Sequence, residues 1–120
     1  MKLAVSASGD NLDAPVDPRF GRAPYFIIVD TDTWEYEVVS NQQNLQAPQG
    51  AGIQAASMVA RYKPSAVLTG NCGPKAFQTL RAAGIAVVVQ VGGTVREAVQ
   101  NYLDGKLKPT SGPTVPGHWG

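Results

Sequence analysis

The chain has 120 residues, of which 43% are hydrophobic, and its ten Lys and Arg nearly balance nine Asp and Glu, for a net charge of +1. These values suit one globular domain and give no general argument for a nucleic-acid or membrane partner. The single cysteine, Cys72, excludes an internal disulfide, and no apolar run approaches the roughly 18 residues of a membrane span. Because residues 1–5 run directly into a strand pattern without signal-peptide features, we expect a cytoplasmic protein.

The first half of the chain predicts three strands and two long loops. Residues 3–7 form a short apolar strand, followed by a loop over 8–24 that contains three prolines. Residues 25–30 and 34–39 predict the two strands of a hairpin, the second at the margin of a sheet. Residues 41–50 form another loop, rich in Asn and Gln. The loop over 8–24 is the longer of the two, and loops of its length without regular structure are uncommon and often functional.

The second half alternates helices with strands. In order, the elements are a helix over 50–62, a strand over 65–70, a helix over 74–83, a strand over 85–90 and a helix over 94–103. Ile53 is expected on the buried face of the first helix. Thr94 and Glu97 have the spacing of a capping box at the start of the third. We expect one domain over 1–107, followed by a flexible tail over 108–120 that is rich in Pro and Gly and contains the single histidine, His118.

This element order predicts an α/β fold with a functional site at one end of the sheet. The first three strands form an antiparallel meander, and right-handed crossovers make the last two strands parallel. Ligands of open α/β sheets bind at the carboxyl ends of the parallel strands. The loops over 8–24, 41–50, 70–74 and 90–94 should meet there, together with the N-termini of all three helices.

The loop over 17–24 stands out chemically because it places two arginines between prolines. Guanidinium groups are always charged and present a planar fork of donors, so Arg19 and Arg22 predict an anion clamp. The alternative is that Arg19 pairs with Asp17 while Phe20 simply fills the core.

Cys72 lies at the predicted start of the second helix. Backbone N–H groups there favour negative ligands, and the same field is expected to lower the pKa of Cys72 and make it a better metal ligand. The alternative is a structural loop with an inert thiol. A lone cysteine and a lone histidine, His118, cannot complete a structural zinc site. Since no acid–base pair or Ser/His/Asp triad can be assembled, the sequence favours a binding protein over an enzyme.

Two segments and a pair of glycines carry a resemblance to a known family. The segments are Pro-Arg-Phe-Gly-Arg-Ala-Pro-Tyr-Phe at 18–26 and Gly-Asn-Cys-Gly-Pro-Lys-Ala-Phe at 70–77, and the glycines are Gly50 and Gly52 before an Ala-rich helix. Together they resemble the dinitrogenase iron–molybdenum cofactor biosynthesis family. This family includes NifX, NafY, the C-terminal part of NifB and stand-alone domains of the orange-protein type. The resemblance covers roughly residues 1–107. It implies a three-layer α/β/α, ribonuclease-H-like fold, whose five-stranded mixed sheet has the order 3-2-1-4-5 with strand 2 antiparallel.

The resemblance also implies a function, namely to bind, carry or scaffold an anionic metal–sulfur cluster or its precursor. The cluster would contain molybdenum with iron or with copper and sulfide, and would be held non-covalently or by weak ligation. The protein would be a monomer or weak dimer that meets cluster donor or acceptor proteins, without nucleic acid, membrane or catalysis. Our hypothesis for the cofactor-binding residues is Ser8, Arg19, Arg22, Gly50, Asn71, Cys72, Gly73 and Gly93, with Cys72 as the candidate metal ligand.

Two other functions fit the same loops. The first is a regulatory module that binds a protein partner at this end of the sheet without metal. The second is an enzyme acting on a phosphorylated small molecule, because phosphate would suit the same arginines. The chain also departs from the family pattern, since the histidine proposed as a ligand in some members has no counterpart before the tail.

Overall fold

The computed structural model describes residues 1–47 and 49–112. Its strands are β1 (Lys2–Ala7), β2 (Tyr25–Asp30), β3 (Tyr36–Ser40), β4 (Ala66–Leu68) and β5 (Ala86–Val88). Its α-helices are α1 (Ala51–Ala60), α2 (Pro74–Ala82) and α3 (Val95–Leu103). A short 3-10 helix over Gln42–Asn44 interrupts the loop after β3. Within the described ranges, no helix has the length and apolar character needed to cross a membrane.

The five strands form one sheet in the order β3-β2-β1-β4-β5. Only β2 runs antiparallel to its neighbours, whereas β1 pairs in parallel with β4, and β4 with β5. These findings confirm the predicted α/β fold, the sheet order and the antiparallel second strand. Because β1, β3, β4 and β5 all point the same way, their carboxyl ends lie together, and we call this the carboxyl end of the sheet.

The sheet separates two apolar layers, and the alternation of side chains along β1 assigns residues to each. Leu3 and Val5 pack in the layer that α3 covers. Ala4 packs in the opposite layer, with α1, α2 and the fully buried ring of Phe20. Successive side chains of a strand point to opposite faces, so a strand buried on both faces reads as a continuous apolar run.

Two local predictions from the sequence were wrong. Ile53 is 39% exposed rather than buried, because α1 packs through its small residues, including Ala55 and Ala56. The third strand begins at Tyr36 and not at Trp34, because Trp34 adopts a left-handed conformation with φ 63° and closes the preceding turn. The predicted capping box at the start of α3 is confirmed.

The division into a domain over 1–107 and a tail over 108–120 stays a prediction. Residues 113–120, including His118, lie outside the described residues. Before them, Leu107 packs against the α3 layer, and the Thr110 N–H donates to the Val87 carbonyl at 2.7 Å. The described start of this segment therefore contacts β5.

Candidate functional site

The loop between β1 and β2 crosses the carboxyl end of the sheet and is joined to the loop after β5. The Val16 N–H donates to the Gly93 carbonyl, and the Val95 N–H donates to the Ala14 carbonyl, both at 2.9 Å. These bonds bring together two of the loops that the topology predicted to meet. They also fix the position of Gly93, whose φ of 76° is the left-handed conformation that glycine adopts easily.

The same loop is joined to the loop after β4. The Asn71 N–H donates to the Pro18 carbonyl at 2.7 Å, and the Phe20 N–H donates to the Asn71 carbonyl at 3.1 Å. The Asn71 side-chain amide also donates to the Pro18 carbonyl, at 3.2 Å. The two backbones approach so closely that a Cβ on Gly70 would lie 2.5 Å from the Pro18 Cα. Gly70 therefore permits the contact that places Arg19 next to the segment leading into α2.

Asp17 anchors this loop through a buried carboxylate. Its Oδ2 accepts the Ser8 hydroxyl at 3.0 Å, and its Oδ1 accepts the Arg19 N–H at 2.9 Å. The Arg19 Nε lies 3.8 Å from the same Oδ1, while the Arg19 side chain is 50% exposed. The two terminal nitrogens of Arg19 form no hydrogen bond to any residue that the structure describes. Arg19 thus pairs with Asp17 through one side of its guanidinium and presents the other side to solvent.

Arg22 is held differently, because its guanidinium reaches into the loop after β3. Its Nη1 donates to the carbonyls of Leu45 at 3.0 Å and Ala47 at 2.9 Å, with a longer contact of 3.4 Å to that of Asn44. The side-chain amide of Asn41 adds bonds back to the arginine loop. Arg22 therefore joins two of the predicted site loops, and one of its nitrogens is fully engaged in doing so.

The three helix N-termini at this end differ in how they are capped. The Thr94 hydroxyl accepts the Glu97 N–H at 3.1 Å, and the Glu97 carboxylate accepts the Thr94 N–H at 2.9 Å, so α3 is capped by its own residues. The cap positions of α1 and α2 are Gly50 and Gly73, and neither helix has a side-chain cap. The first N–H groups of α1 and α2 are thus the ones suited to an anion.

Cys72 lies beneath the site rather than at its surface. It is fully buried among apolar residues of the layer that α1 and α2 cover. This burial raises the pKa of the Cys72 thiol from 9.0 to about 12. The predicted lowering of this pKa was wrong, because the loss of solvation outweighs the field of the helix. Ligation by Cys72 stays a prediction, and it would need both loss of the thiol proton and movement of Sγ towards solvent.

Sequence reasoning missed three residues of this site. The sequence suggested Asp17 as a charge partner of Arg19, but not that its carboxylate anchors both Ser8 and Arg19. Lys75 is exposed in the first turn of α2, and its charge beside a predicted helix start was a sequence signal that could have identified it as a site residue. Gln90 has φ 60°, and its N–H donates to the Gly70 carbonyl at 2.7 Å. No sequence signal marked Gln90, because glycine or asparagine is usual in that conformation.

The described residues contain no group of three or more His, Cys, Asp or Glu side chains placed to hold a metal ion. The predicted site residues nevertheless gather on the loops at the carboxyl end of the sheet. Ser8, Arg19 and Gly93 are exposed there, Arg22, Gly50 and Asn71 are partly buried, and Cys72 and Gly73 are buried. The arrangement offers hydrogen-bond donors and positive charge rather than a set of metal ligands.

Comparison with known proteins points to one family. Residues 1–105 match the model of the family described as dinitrogenase iron-molybdenum cofactor. An uncharacterised protein of Methanocaldococcus jannaschii is 30% identical over 111 residues, which are 90% of each chain. The apo form of the orange protein from Desulfovibrio gigas is 47% identical with a TM-score of 0.92, over 95% of this chain and 96% of that chain. A Thermotoga protein provisionally named NifB is 34% identical with a TM-score of 0.81, over 95% and 97% of the two chains.

Proposed function

Because this chain belongs to the dinitrogenase iron–molybdenum cofactor family, we propose that it binds and carries an anionic metal–sulfur cluster at the carboxyl end of its sheet. It acts as a carrier or scaffold and not as an enzyme. The observation that supports this function is the position of Arg19. Backbone bonds between its loop and Asn71 fix the Arg19 backbone next to the uncapped start of α2, and its guanidinium is half-exposed beside Asp17.

The chemistry of these groups suits a sulfide cluster. Clusters of molybdenum, sulfide and iron or copper are anionic, and their sulfur atoms accept hydrogen bonds. Arg19 supplies a fixed positive charge with unused terminal donors, and the first N–H groups of α2 add a favourable dipole. Lys75 adds a second exposed cation in the same turn. Such a cradle holds its cargo by charge and hydrogen bonding, which permits release to an acceptor protein.

The remaining site residues take supporting roles in this proposal. Ser8 and Asn71 orient the arginine loop through their bonds to Asp17 and Pro18. Arg22 keeps the loop after β3 in place, and it contacts the cluster only through the guanidinium nitrogens that do not bond to that loop. Gly50, Gly73 and Gly93 let the backbone approach the cluster closely, since they add no side chain between it and the N–H groups.

Reconstitution with tetrathiomolybdate tests this function, with copper(I) or iron(II) added in parallel to separate the two molybdenum cluster types. We expect a stoichiometric visible charge-transfer band. Arg19→Ala should weaken uptake by roughly tenfold or more, since hydrogen bonds to charged groups contribute about 1.5–3 kcal/mol. Arg19→Lys, which keeps the charge but loses the fork, should be intermediate. Arg61→Ala is the matched control, because Arg61 is exposed just beyond the opposite end of α1.

Absence of the band, or equal uptake by the Arg19→Ala and Arg61→Ala variants, would refute the carrier function. Stable capture of one defined protein by the metal-free chain, through the same loops, would favour the regulatory interaction module instead. Turnover of a phosphate ester that disappears in the Arg19→Ala variant would favour the enzyme.

A further inference from the structure

The two outer strands of the sheet differ in whether the chain itself covers them. On β5, the carbonyl of Val87 faces away from β4 and accepts the Thr110 N–H at 2.7 Å. On β3, the residues that the structure describes provide no loop or helix hydrogen bond to the outer backbone groups. Among residues 1–47 and 49–112, the outer side of β3 is thus the open edge of the sheet, and open edges bind added strands readily.

The register of the hairpin identifies the backbone groups that face outward. The Asn41 N–H donates to the Pro24 carbonyl at 2.8 Å, and the Asp30 N–H donates to the Glu35 carbonyl at 2.9 Å. Antiparallel ladders alternate between residues that bond to the neighbour and residues that do not. The odd-numbered residues over 35–41 therefore bond to β2. Tyr36, Val38 and Ser40 direct their N–H and carbonyl groups outward.

The side chains along this edge differ in character on the two faces of the sheet. Tyr36 and Val38 are 43% and 38% exposed, and both lie on the face that α3 covers. On the opposite face, Glu35 and Glu37 line an open groove beside the edge. Its other lining residues are Lys2, Ile28, Asp30 and Tyr36. Three carboxylates against one ammonium make the groove acidic, with a net charge of −2.

We propose that β3 accepts an extended strand from a partner protein, with basic side chains of that strand in the acidic groove and apolar ones over Tyr36 and Val38. This is strand addition, in which backbone bonds supply affinity and alternate side chains supply specificity. A second copy of this chain is disfavoured as the occupant, because β3 contains no basic residue. An antiparallel copy would bring its own Glu35 and Glu37 to the face that already carries this pair.

The open edge lies near the proposed cluster site, but the proposal that a strand binds there does not depend on that site. Because β3 runs parallel to β1, its last residue, Ser40, lies at the carboxyl end of the sheet and leads into the loop that Arg22 holds. A strand added to β3 would end close to the proposed cluster site. A cluster donor or acceptor is the kind of partner that this placement suits. The edge is present in the metal-free chain and can be tested there.

Two acetylated hexapeptides serve as probes, one alternating Lys and Val and the other alternating Glu and Val. With the isotope-labelled full chain, the Lys-Val peptide should slow hydrogen exchange at the Tyr36, Val38 and Ser40 amides. It should leave the already bonded Glu37 amide unchanged. The Glu-Val peptide should bind roughly five-fold or more weakly, as expected for several cross-strand charge pairs. A Lys-Val peptide methylated on alternate backbone nitrogens, on the side that would face β3, should not bind.

Charge reversal on the protein makes the test specific. Glu35→Lys combined with Glu37→Lys should reverse the preference towards the Glu-Val peptide, whereas Asp104→Lys, an exposed change at the end of α3, should not. Val38→Pro removes an outward N–H and should abolish binding. If that variant does not fold, the charge-reversal variant still tests the proposal.

Equal affinity for both peptides, no protection at millimolar peptide, or protection only at other amides would overturn the proposal. Protection of the same amides by a concentration-dependent dimer would identify a second copy as the occupant and would also overturn it. Cluster uptake by Glu35→Lys combined with Glu37→Lys should equal that of the wild type. Failure of the edge and failure of the cluster site therefore give different results.

Discussion

Replacement of Gly70 by alanine tests how the site is assembled. A Cβ at this position would lie 2.5 Å from the Pro18 Cα and 2.7 Å from the Pro18 carbonyl oxygen. Both atoms belong to backbone, so no side-chain rotation can relieve the contact. The two segments must separate by at least several tenths of an ångström. The backbone bonds between Asn71 and the arginine loop span 2.7–3.1 Å and cannot all survive that shift.

The cost follows from overpacking and from the strained bonds. Added carbon in a closely packed site typically destabilises by about 1–3 kcal/mol, and each weakened hydrogen bond adds roughly 0.5–1.5 kcal/mol. We expect Gly70→Ala to lower the free energy of unfolding by about 2–4 kcal/mol in urea titrations. Tetrathiomolybdate uptake should fall with it, because Arg19 is no longer held before α2.

Gly92→Ala is the matched control for this measurement. Gly92 lies in the loop after β5 at the same end of the sheet, and a Cβ there would meet nothing within 4 Å. We expect a change within about 0.5 kcal/mol, as for substitutions away from packed or bonded sites. If the two variants were equally stable and bound thiomolybdate equally well, the close approach of the Pro18 and Gly70 backbones would not be what organises the site.

Three further predictions follow from the contacts described above. Burial raises the pKa of Cys72 to about 12, so the neutral thiol is favoured by folding. That contribution to stability is complete below pH 9 and is lost as pH rises towards 12. Urea titrations of the Cys72→Ala variant should not show this decline. Rapid alkylation of the native thiol at pH 8 would contradict the burial. Arg22→Ala should lower the free energy of unfolding by about 1.5–3 kcal/mol and speed hydrogen exchange over 41–47, whereas Arg61→Ala should do neither. Phe20→Ala should destabilise by about 3–5 kcal/mol in the same titrations, because the ring is fully buried 5.0 Å from that of Phe26; a loss below 1 kcal/mol would show that this ring is not core.

Much of the fold could be predicted because its signals are local. The apolar runs of β1 and β2, the proline at the start of α2 and the Thr94–Glu97 box each act within a few residues of chain. Ile53 could not be placed correctly, because its exposure depends on how closely α1 lies against its neighbours. The aromatic side chain of Trp34 favours a strand, but the tight turn before β3 overrides that preference.

The candidate site shows the same division. From the sequence, the arginine loop, the glycine-rich helix starts and Cys72 could be placed at the carboxyl end of one sheet, because the pattern of elements predicts the strand directions and the family resemblance implies the strand order. The folded chain was needed to show that Arg19 faces solvent, that Arg22 binds carbonyls of another loop and that Cys72 lies in the core. These outcomes depend on desolvation and on contacts between residues 22 to 53 positions apart in the chain, which no local pattern encodes. The open edge of β3 belongs with them, since whether a strand is covered depends on where the rest of the chain goes.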